Sequence, residues 1–376
     1  MLSPFDDFPI HPSADPIAHP ATGDPNHYDR YWFNGHQRDG DFYFAVSMGH
    51  YPVRNVCDSA FSVMRRDGVQ HSIFASGHMP LDRATAIGPV RLEVVEPMRE
   101  IRYIVEPNEH RVECDLTFRA STAAIEEPRH RQMMPNGVLV ADYTRLTQWG
   151  SWEGTISVDG DELRVEAGDV PGSRDRSWGV RQVGKQAEVN RRRADPSQLR
   201  IWWLWAPLCF EDRFTHYALH EQPDGSRVVE TALVLEPLTD GAAPWKPAGV
   251  RECSNLRYEI EYRRGRREMN AARIGFDDPV EGAVEIELEK VFPFRMSGIG
   301  YWHPYWGHGS NHGKLETGRE SIKTEDFDPL EMPGHHIMNL VIARMGNRKG
   351  VGALEEIHVG PHAPTGLTGV LDGFDV

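Results

Sequence analysis

A chain of 376 residues with 39% hydrophobic content is long for one ordinary core and too apolar to be disordered, so two folded domains are the first expectation. The formal charge of −15 speaks against nucleic acid as the main partner, because phosphate backbones require a clustered basic surface. No run of about 18 apolar residues occurs, which excludes a transmembrane helix.

Residues 1–26 are rich in Pro, Asp and His and show no period, which predicts an extended N-terminal arm. Met1 to Ile10 has neither a basic nor an apolar stretch of the kind a secretory leader carries, so a cytoplasmic location is expected. The four cysteines, Cys57, Cys114, Cys209 and Cys253, form no CxxC pair and read as buried free thiols of a reducing compartment.

From about residue 41 the dominant period is two. Val112, Cys114, Leu116 and Phe118 share one face and Glu113, Asp115, Thr117 and Arg119 the other, which is the pattern of a half-buried strand. Residues 89–96, 99–106 and 155–166 repeat it, with Asp159-Gly160 as a hairpin turn. Asp58–Arg66 and Asn136–Leu146 read as short helical turns. Beyond residues 180–197 the strand pattern restarts: 201–210, 214–220, 228–235, 256–263 and 284–289 each alternate or run apolar, and 337–345 reads as the last strand. The expected organisation is an N-terminal β domain over 27–185 and a C-terminal one over 195–376, each a barrel or sandwich. The basic runs Arg191–Arg193 and Arg263–Arg267 are short, lie among acids, and read as solvated turns or local ion pairs.

Three constellations could carry chemistry. Residues 172–181, GSRDRSWGVR, set one acid among three arginines and a tryptophan between glycines. Burial beside Trp178 would raise the Asp175 pKa and suit it to donate a proton, whereas the flanking arginines favour its carboxylate; an Asp–Arg network joining the two halves is the structural alternative. Residues 301–313, YWHPYWGHGSNHG, hold three histidines and four aromatics. They read as a ligand-lining loop, a structural loop, or a metal site built on His303, His308 and His312, although their spacing fits no familiar metal motif. Trp203 and Trp205 share one strand face, with Trp202 on the other, and either fill a core or line a cavity. No Walker A loop, dinucleotide fingerprint or nucleophile elbow is present, so nucleotide-dependent and α/β-hydrolase chemistry have no support.

The GSRDRSWGVR segment resembles the G-x-x-D-x-x-W-G-x-R motif of the AttH-like and carotenoid 1,2-hydratase (hydroxyneurosporene synthase) group. The chain is also of similar length, strand-rich and tryptophan-rich, with the motif near its middle. The resemblance implies an all-β fold of two tandem lipocalin-like (calycin) antiparallel barrels. It implies a cofactor-independent enzyme, without a bound metal, that hydrates, isomerises or cyclises an alkene in a terpenoid-, steroid- or polyketide-like molecule. Asp175 would be the acid. Trp178 and Arg181 are its companions in the motif, and from the other two constellations Trp203, Trp205, Tyr301, Trp302, His303 and Trp306 would join them around the hydrophobic substrate. A non-catalytic carrier or sensor of the same kind of ligand is the alternative, and fold alone does not decide between them.

Overall fold

The structure is a computed structural model that describes residues 14–133, 139–184 and 200–374. All of its extended elements are β-strands, and the only helical pieces among the described residues are short 3₁₀ turns. The first half contributes β1 (His27–His36), β2 (Phe42–Tyr51), β3 (Val56–Arg65), β4 (Val69–His78), β5 (Ala86–Ile87), β6 (Val90–Glu96), β7 (Glu100–Val105), β8 (Val112–Ala120), β9 (Ile125–Glu126), β10 (His130–Met133), β11 (Leu139–Val158), β12 (Asp161–Val165) and β13 (Pro171–Arg181). The second half contributes β14 (Ile201–Phe210), β15 (Phe214–Glu221), β16 (Arg227–Leu235), β17 (Val250–Tyr262), β18 (Met269–Asp278), β19 (Gly282–Arg295), β20 (Leu315–Lys323), β21 (His336–Met345) and β22 (Arg348–Val359).

Strands β14–β19, β21 and β22 close into an eight-stranded antiparallel barrel. The remaining strands form one curled sheet in the order β20-β4-β3-β2-β1-β13-β11-β8-β7-β6-β5, with β9, β10 and β12 hung on the long β11. This is the all-β, lipocalin-like pair expected from the sequence, with the first member an open curl. β20 comes from the second half yet pairs along the full length of β4, from Leu315↔Gly77 to Lys323↔Val69, and so covers an edge of the first sheet.

Each half fills its own concave side. Phe33, Phe44, Phe61, Leu116, Phe118 and Trp152 pack inside the curled sheet. Leu204, Leu208, Leu219, Phe276, Ile286 and Leu354 pack inside the barrel. Eight strands leave an interior that side chains can just fill, and here apolar side chains occupy it.

A third core joins the two. Trp32, Tyr43, Ala45, Ala60 and Phe74 on the convex face of the curled sheet meet Trp205, Phe294, Met338, Leu340 and Ala353 on the outside of the barrel. Trp32 meets Trp205 edge-on at 5.7 Å, and Tyr43 meets Phe294 at 4.7 Å between ring centroids. A bulge between Lys290 and Phe292 switches the facing of β19. Its Val284, Ile286 and Leu288 point into the barrel, and its Phe292 and Phe294 point out toward the curled sheet. All ten residues of β2 and all eight of β15 are therefore buried, because each strand is covered on both faces.

Double burial explains two corrections. Asp58–Arg66 is not a helical turn: residues through Arg65 lie in β3, where Cys57, Phe61 and Val63 face one core and Ala60 and Met64 the other. With both faces covered, the alternation that marks a strand disappears. Residues 139–146 begin β11, and 136–138 lie outside the described residues. The strand at 337–345 is also not the last. β22 follows it and closes the barrel on β14; its inward positions Gly350, Gly352, Glu356 and His358 hide its apolar character.

The cysteines are free thiols, three of them buried. Arg263 pairs with Glu268 and Glu325, and Arg267 is buried against Asp372, so this basic run is a set of ion pairs. Arg191–Arg193 lie outside the described residues. No helix among the described residues is long and apolar enough to cross a membrane.

Candidate functional site between the sheets

Alternation along β13 decides where its motif goes. Asp175, Ser177 and Arg181 face the barrel, while Arg174, Arg176 and Trp178 face the other way. Arg174 bonds Gln148 Oε1 at 2.9 Å over the Phe33 and Phe118 rings, and Arg176 pairs with Asp29 over the Tyr31 ring. The arginines that flank Asp175 in sequence therefore do not neutralise it. Trp178, 42% exposed, is not brought to Asp175.

The charges that do surround Asp175 come from neighbouring strands. Trp32 of β1 and Thr147 of β11 are its cross-strand partners, and Arg30 and Arg145 lie two residues along on the same face. Arg145 Nη1 is 4.0 Å from Asp175 Oδ2, and its Nε is 3.0 Å from Glu127 Oε2. Burial pushes the Asp175 pKa up, and although Arg145 and Arg30 pull it back, it stands raised at about 6.

Glu127 takes the opposite course in the same layer. Burial would raise it, but Arg145 and His216 outweigh that and hold it down to about 2. It accepts from Thr147 Oγ1 at 2.5 Å and lies 3.2 Å from His216 Nε2. Trp205 Nε1 donates to the same His216 nitrogen at 3.1 Å. From the barrel side, Glu355 is held by His336 Nε2 and Trp203 Nε1, both at 2.6 Å. Two buried carboxylates are thus locked as anions, whereas Asp175 in the same layer stands at about 6. Separation of acid strengths among neighbouring carboxyls is the pattern expected of an acid–base site.

The loop of residues 296–314 crosses from the barrel to β20 over the curled sheet. Ser47 Oγ donates to Ile299 O at 3.1 Å, and Gly309 N donates to Asp58 Oδ2 at 2.7 Å. Gly300, at φ +98°, permits its tight turn: a Cβ there would lie within about 3 Å of Trp306 O and the His308 ring. The turn brings Tyr301 inward, edge-on to His308 and His336 at 4.8 and 4.4 Å. Arg30 lies over the Tyr301 ring at 4.3 Å, and Arg181 lies 5.7 Å from it. Trp302 leans on His336.

The rest of this loop goes elsewhere. His303 bonds Glu320 at 3.0 Å and its Nδ1 accepts from the amides of Tyr305 and Trp306, while Trp306 stacks on Phe74 at 5.4 Å. The three histidines face three different carboxylates, Glu320, Asp58 and Glu316. They do not converge on one point, and no group of three potential ligands with metal-holding geometry occurs among the described residues. A cavity of about 10 Å³ beside His308, Asp58 and Phe74 has room for about one water.

Of the sequence candidates, the structure brings together Asp175, Arg181, Trp203, Trp205, Tyr301 and Trp302, and leaves out Trp178, His303 and Trp306. It adds Arg30, Glu127, Arg145, His216, His336 and Glu355, which sequence reasoning missed. The available signal for Arg30 was its place in the alternation of HYDRYWFNGH, on one face with Tyr28 and Trp32.

With this geometry in view, the chain can be set beside known proteins. It belongs to a family of unknown function, DUF8625, whose model matches residues 2–368. No curated protein matches the sequence. Among solved structures, a putative AttH protein from Nitrosomonas europaea has 12% identity and a TM-score of 0.52, with 88% of this chain and 91% of that one covered. This likeness carries the fold and nothing further. Kievitone hydratase from Nectria haematococca gives 12% identity, 88% coverage of each chain and a TM-score of 0.48.

Proposed function

We propose that this protein is a cofactor-independent acid–base enzyme acting on a hydrophobic small molecule, in which Asp175 donates a proton to a carbon–carbon double bond during hydration, isomerisation or cyclisation. The observation that carries the reading is the placement of Asp175, buried on the barrel face of β13 with the Arg145 guanidinium 4.0 Å away, whereas Glu127 holds the same guanidinium at 3.0 Å; burial therefore raises Asp175 to about 6 while Glu127 is held at about 2. A carboxyl poised near neutrality can both hold and release a proton at working pH. Hydration of an isolated alkene, as the carotenoid 1,2-hydratase resemblance suggests, is one member of this class.

The carrier reading has less behind it. A lipocalin-like carrier keeps its ligand inside the barrel, and Leu204, Leu219, Phe276 and Leu354 occupy that space here.

The test is a screen of terpenoids, steroids and polyketide-like alkenes for turnover in deuterated water, followed by Asp175→Asn on any substrate found. Loss of a positioned acid lowers the rate roughly 10²–10⁴-fold. Because the protonated form is the donor, wild-type kcat/KM should fall as pH rises through about 6. Full activity in the Asn variant would remove Asp175 from the reaction.

A further inference from the structure

Arg30 is the one guanidinium among the described residues with all three of its nitrogens buried and without a hydrogen-bond partner. Its side chain projects from β1 into the layer between the sheets and is 1% exposed. Nε, Nη1 and Nη2 are all buried, and none has a hydrogen-bond partner among the described residues. Its strand neighbours explain the absence of a partner. Arg30 pairs with Gly49 on one side and Ser177 on the other, and neither can offer a carboxylate. Three nearby acids are engaged elsewhere, Glu127 by Arg145 and His216, Glu355 by His336 and Trp203, and Asp58 by Tyr51 and the Gly309 amide; the fourth, Asp175, feels the charge of Arg30 without forming a hydrogen bond to it. The guanidinium lies against the face of Tyr301 at 4.3 Å. A buried charge without a hydrogen-bond partner is costly to a fold, so it calls for a functional account.

Other unsatisfied polar atoms share the layer. Tyr28 Oη and Trp32 Nε1 extend from the same face of β1, and His308 Nε2 and His336 Nδ1 flank Tyr301. All four are donors or can become donors, so the region is rich in hydrogen-bond donors awaiting acceptors. Arg181, Tyr143, Trp203 and Tyr301 at its margin are only half-buried, which gives the layer an open side.

From this we infer that Arg30 is a substrate-binding residue that receives an acidic or carbonyl oxygen, so that the substrate is an oxygenated hydrophobic molecule, carrying a carboxylate, a phenol or enol, or a conjugated ketone, and not a pure hydrocarbon. The inference rests on the reading of Asp175 as the proton donor beside it. The chemistry of the two groups is complementary. In hydration of a conjugated enone, water bonds through oxygen to the β-carbon, and the π pair moves onto the carbonyl oxygen. Arg30 stabilises that oxyanion, Asp175 gives its proton to the α-carbon, and the spare proton of the water returns to the Asp175 carboxylate. Preorganised donors of this kind act most strongly in a dry site. An isolated alkene offers Arg30 nothing to hold.

The experiment uses two probes of one shape, 2-naphthoate and naphthalene-2-carboxamide, titrated calorimetrically into the full-length protein. The wild type should bind the carboxylate at least about 10-fold more tightly than the amide. Arg30→Gln should abolish that preference while leaving the affinity for the amide unchanged, and Arg30→Lys should retain part of it. Asp175→Asn should keep or increase the preference, because it removes a negative neighbour. This separates the two readings, since probe binding requires no turnover: loss of the Asp175 assignment would show in the rate alone. Arg30→Met should melt no earlier than the wild type, because it removes an unpartnered charge. A preference that survives in Arg30→Gln would overturn the inference, as would a wild type that binds both probes alike or neither. So would early unfolding of both Arg30→Gln and Arg30→Met, which would make Arg30 a structural residue.

Discussion

Replacing Asp175 by Asn should make the protein more stable at neutral pH, and the gain should depend on pH in a defined way. The carboxyl has an ordinary value of 3.8 and stands at about 6 in the fold. A difference of about 2.2 units at about 1.36 kcal/mol per unit corresponds to roughly 3 kcal/mol. The direction follows from proton binding. Between about pH 4 and 6 the folded state holds a proton on Asp175 that the unfolded chain has already released. The contribution of this group is therefore complete below the unfolded pKa and is lost as pH rises through the folded one. At pH 7 and above, wild type carries the full cost of an ionised, buried Asp175, and Asn does not. Urea unfolding of both proteins from pH 4 to 8 reads this directly. The two curves should coincide near pH 4 and separate by roughly 3 kcal/mol, Asn the more stable, at pH 7.5. An Asn variant that is equally or less stable at pH 7.5 would mean that Arg145 and Arg30 bind the carboxylate as a structural ion pair, and the argument for Asp175 as a stored proton would fail. A residue that lowers stability while it waits for a substrate is the usual signature of an active-site group.

Three further results follow from the packing. Glu268 is buried beneath Arg295, Lys290 and Arg263, at 2.6, 3.0 and 2.9 Å, and burial is outweighed by Arg295 and Lys290 so that its pKa falls to about 2. Glu268→Gln should cost roughly 3–5 kcal/mol in urea unfolding at pH 7. That stabilisation is full above about pH 4.5 and lost toward pH 2, so the difference between the two proteins should shrink on acidification. Leu354→Ala, in the middle of the barrel, should cost roughly 2–5 kcal/mol by the same assay; a loss below about 1 kcal/mol would mean the barrel is hollow enough to hold a ligand. A division of the chain near residues 185–195 can be tested by expressing residues 1–184 alone. Without β20 the edge of β4 is bare and the convex face loses its cover, so the fragment should precipitate and be rescued by co-expressed 200–376; a soluble monomer would show that the first half is self-sufficient.

The sequence announces a strand where one of its faces meets water. β8 shows it: Val112, Cys114, Leu116 and Phe118 are buried, Asp115 on the other face bonds Arg102, and the alternation stands clear in the letters. The Asp159-Gly160 hairpin is equally plain, with Val158 paired to Asp161. Where both faces are covered, the same rule loses its contrast. β3, with Asp58, Ser59 and Ser62 among apolar residues, reads as something else because the barrel turns its second face into an interior. β22 is obscured by glycines that let Leu208 and Phe210 of β14 approach closely. Topology was beyond reach for a related reason: nothing local in residues 315–323 states that they leave their own half to border β4.

The site divides along the same line. Asp175 could be singled out because an acid beside a tryptophan between glycines is unusual in a strand, but its electrostatics could not be read from its neighbours in sequence. Arg174 and Arg176 are adjacent in the chain and absent from its surroundings, since each peptide step turns a strand side chain to the opposite face. Arg145 and Arg30 are 30 and 145 residues distant and supply the charge that matters. Pairing β1 and β11 on either side of β13 is what delivers them. The same pairing denies Arg30 a carboxylate, because Gly49 and Ser177 occupy the positions beside it. The acid with a raised pKa and the guanidinium without a hydrogen-bond partner thus have a single origin in strand register, and a one-residue slip of β1 against β13 would replace Arg30 and Trp32 with Asp29 and Tyr31 on this face and abolish both.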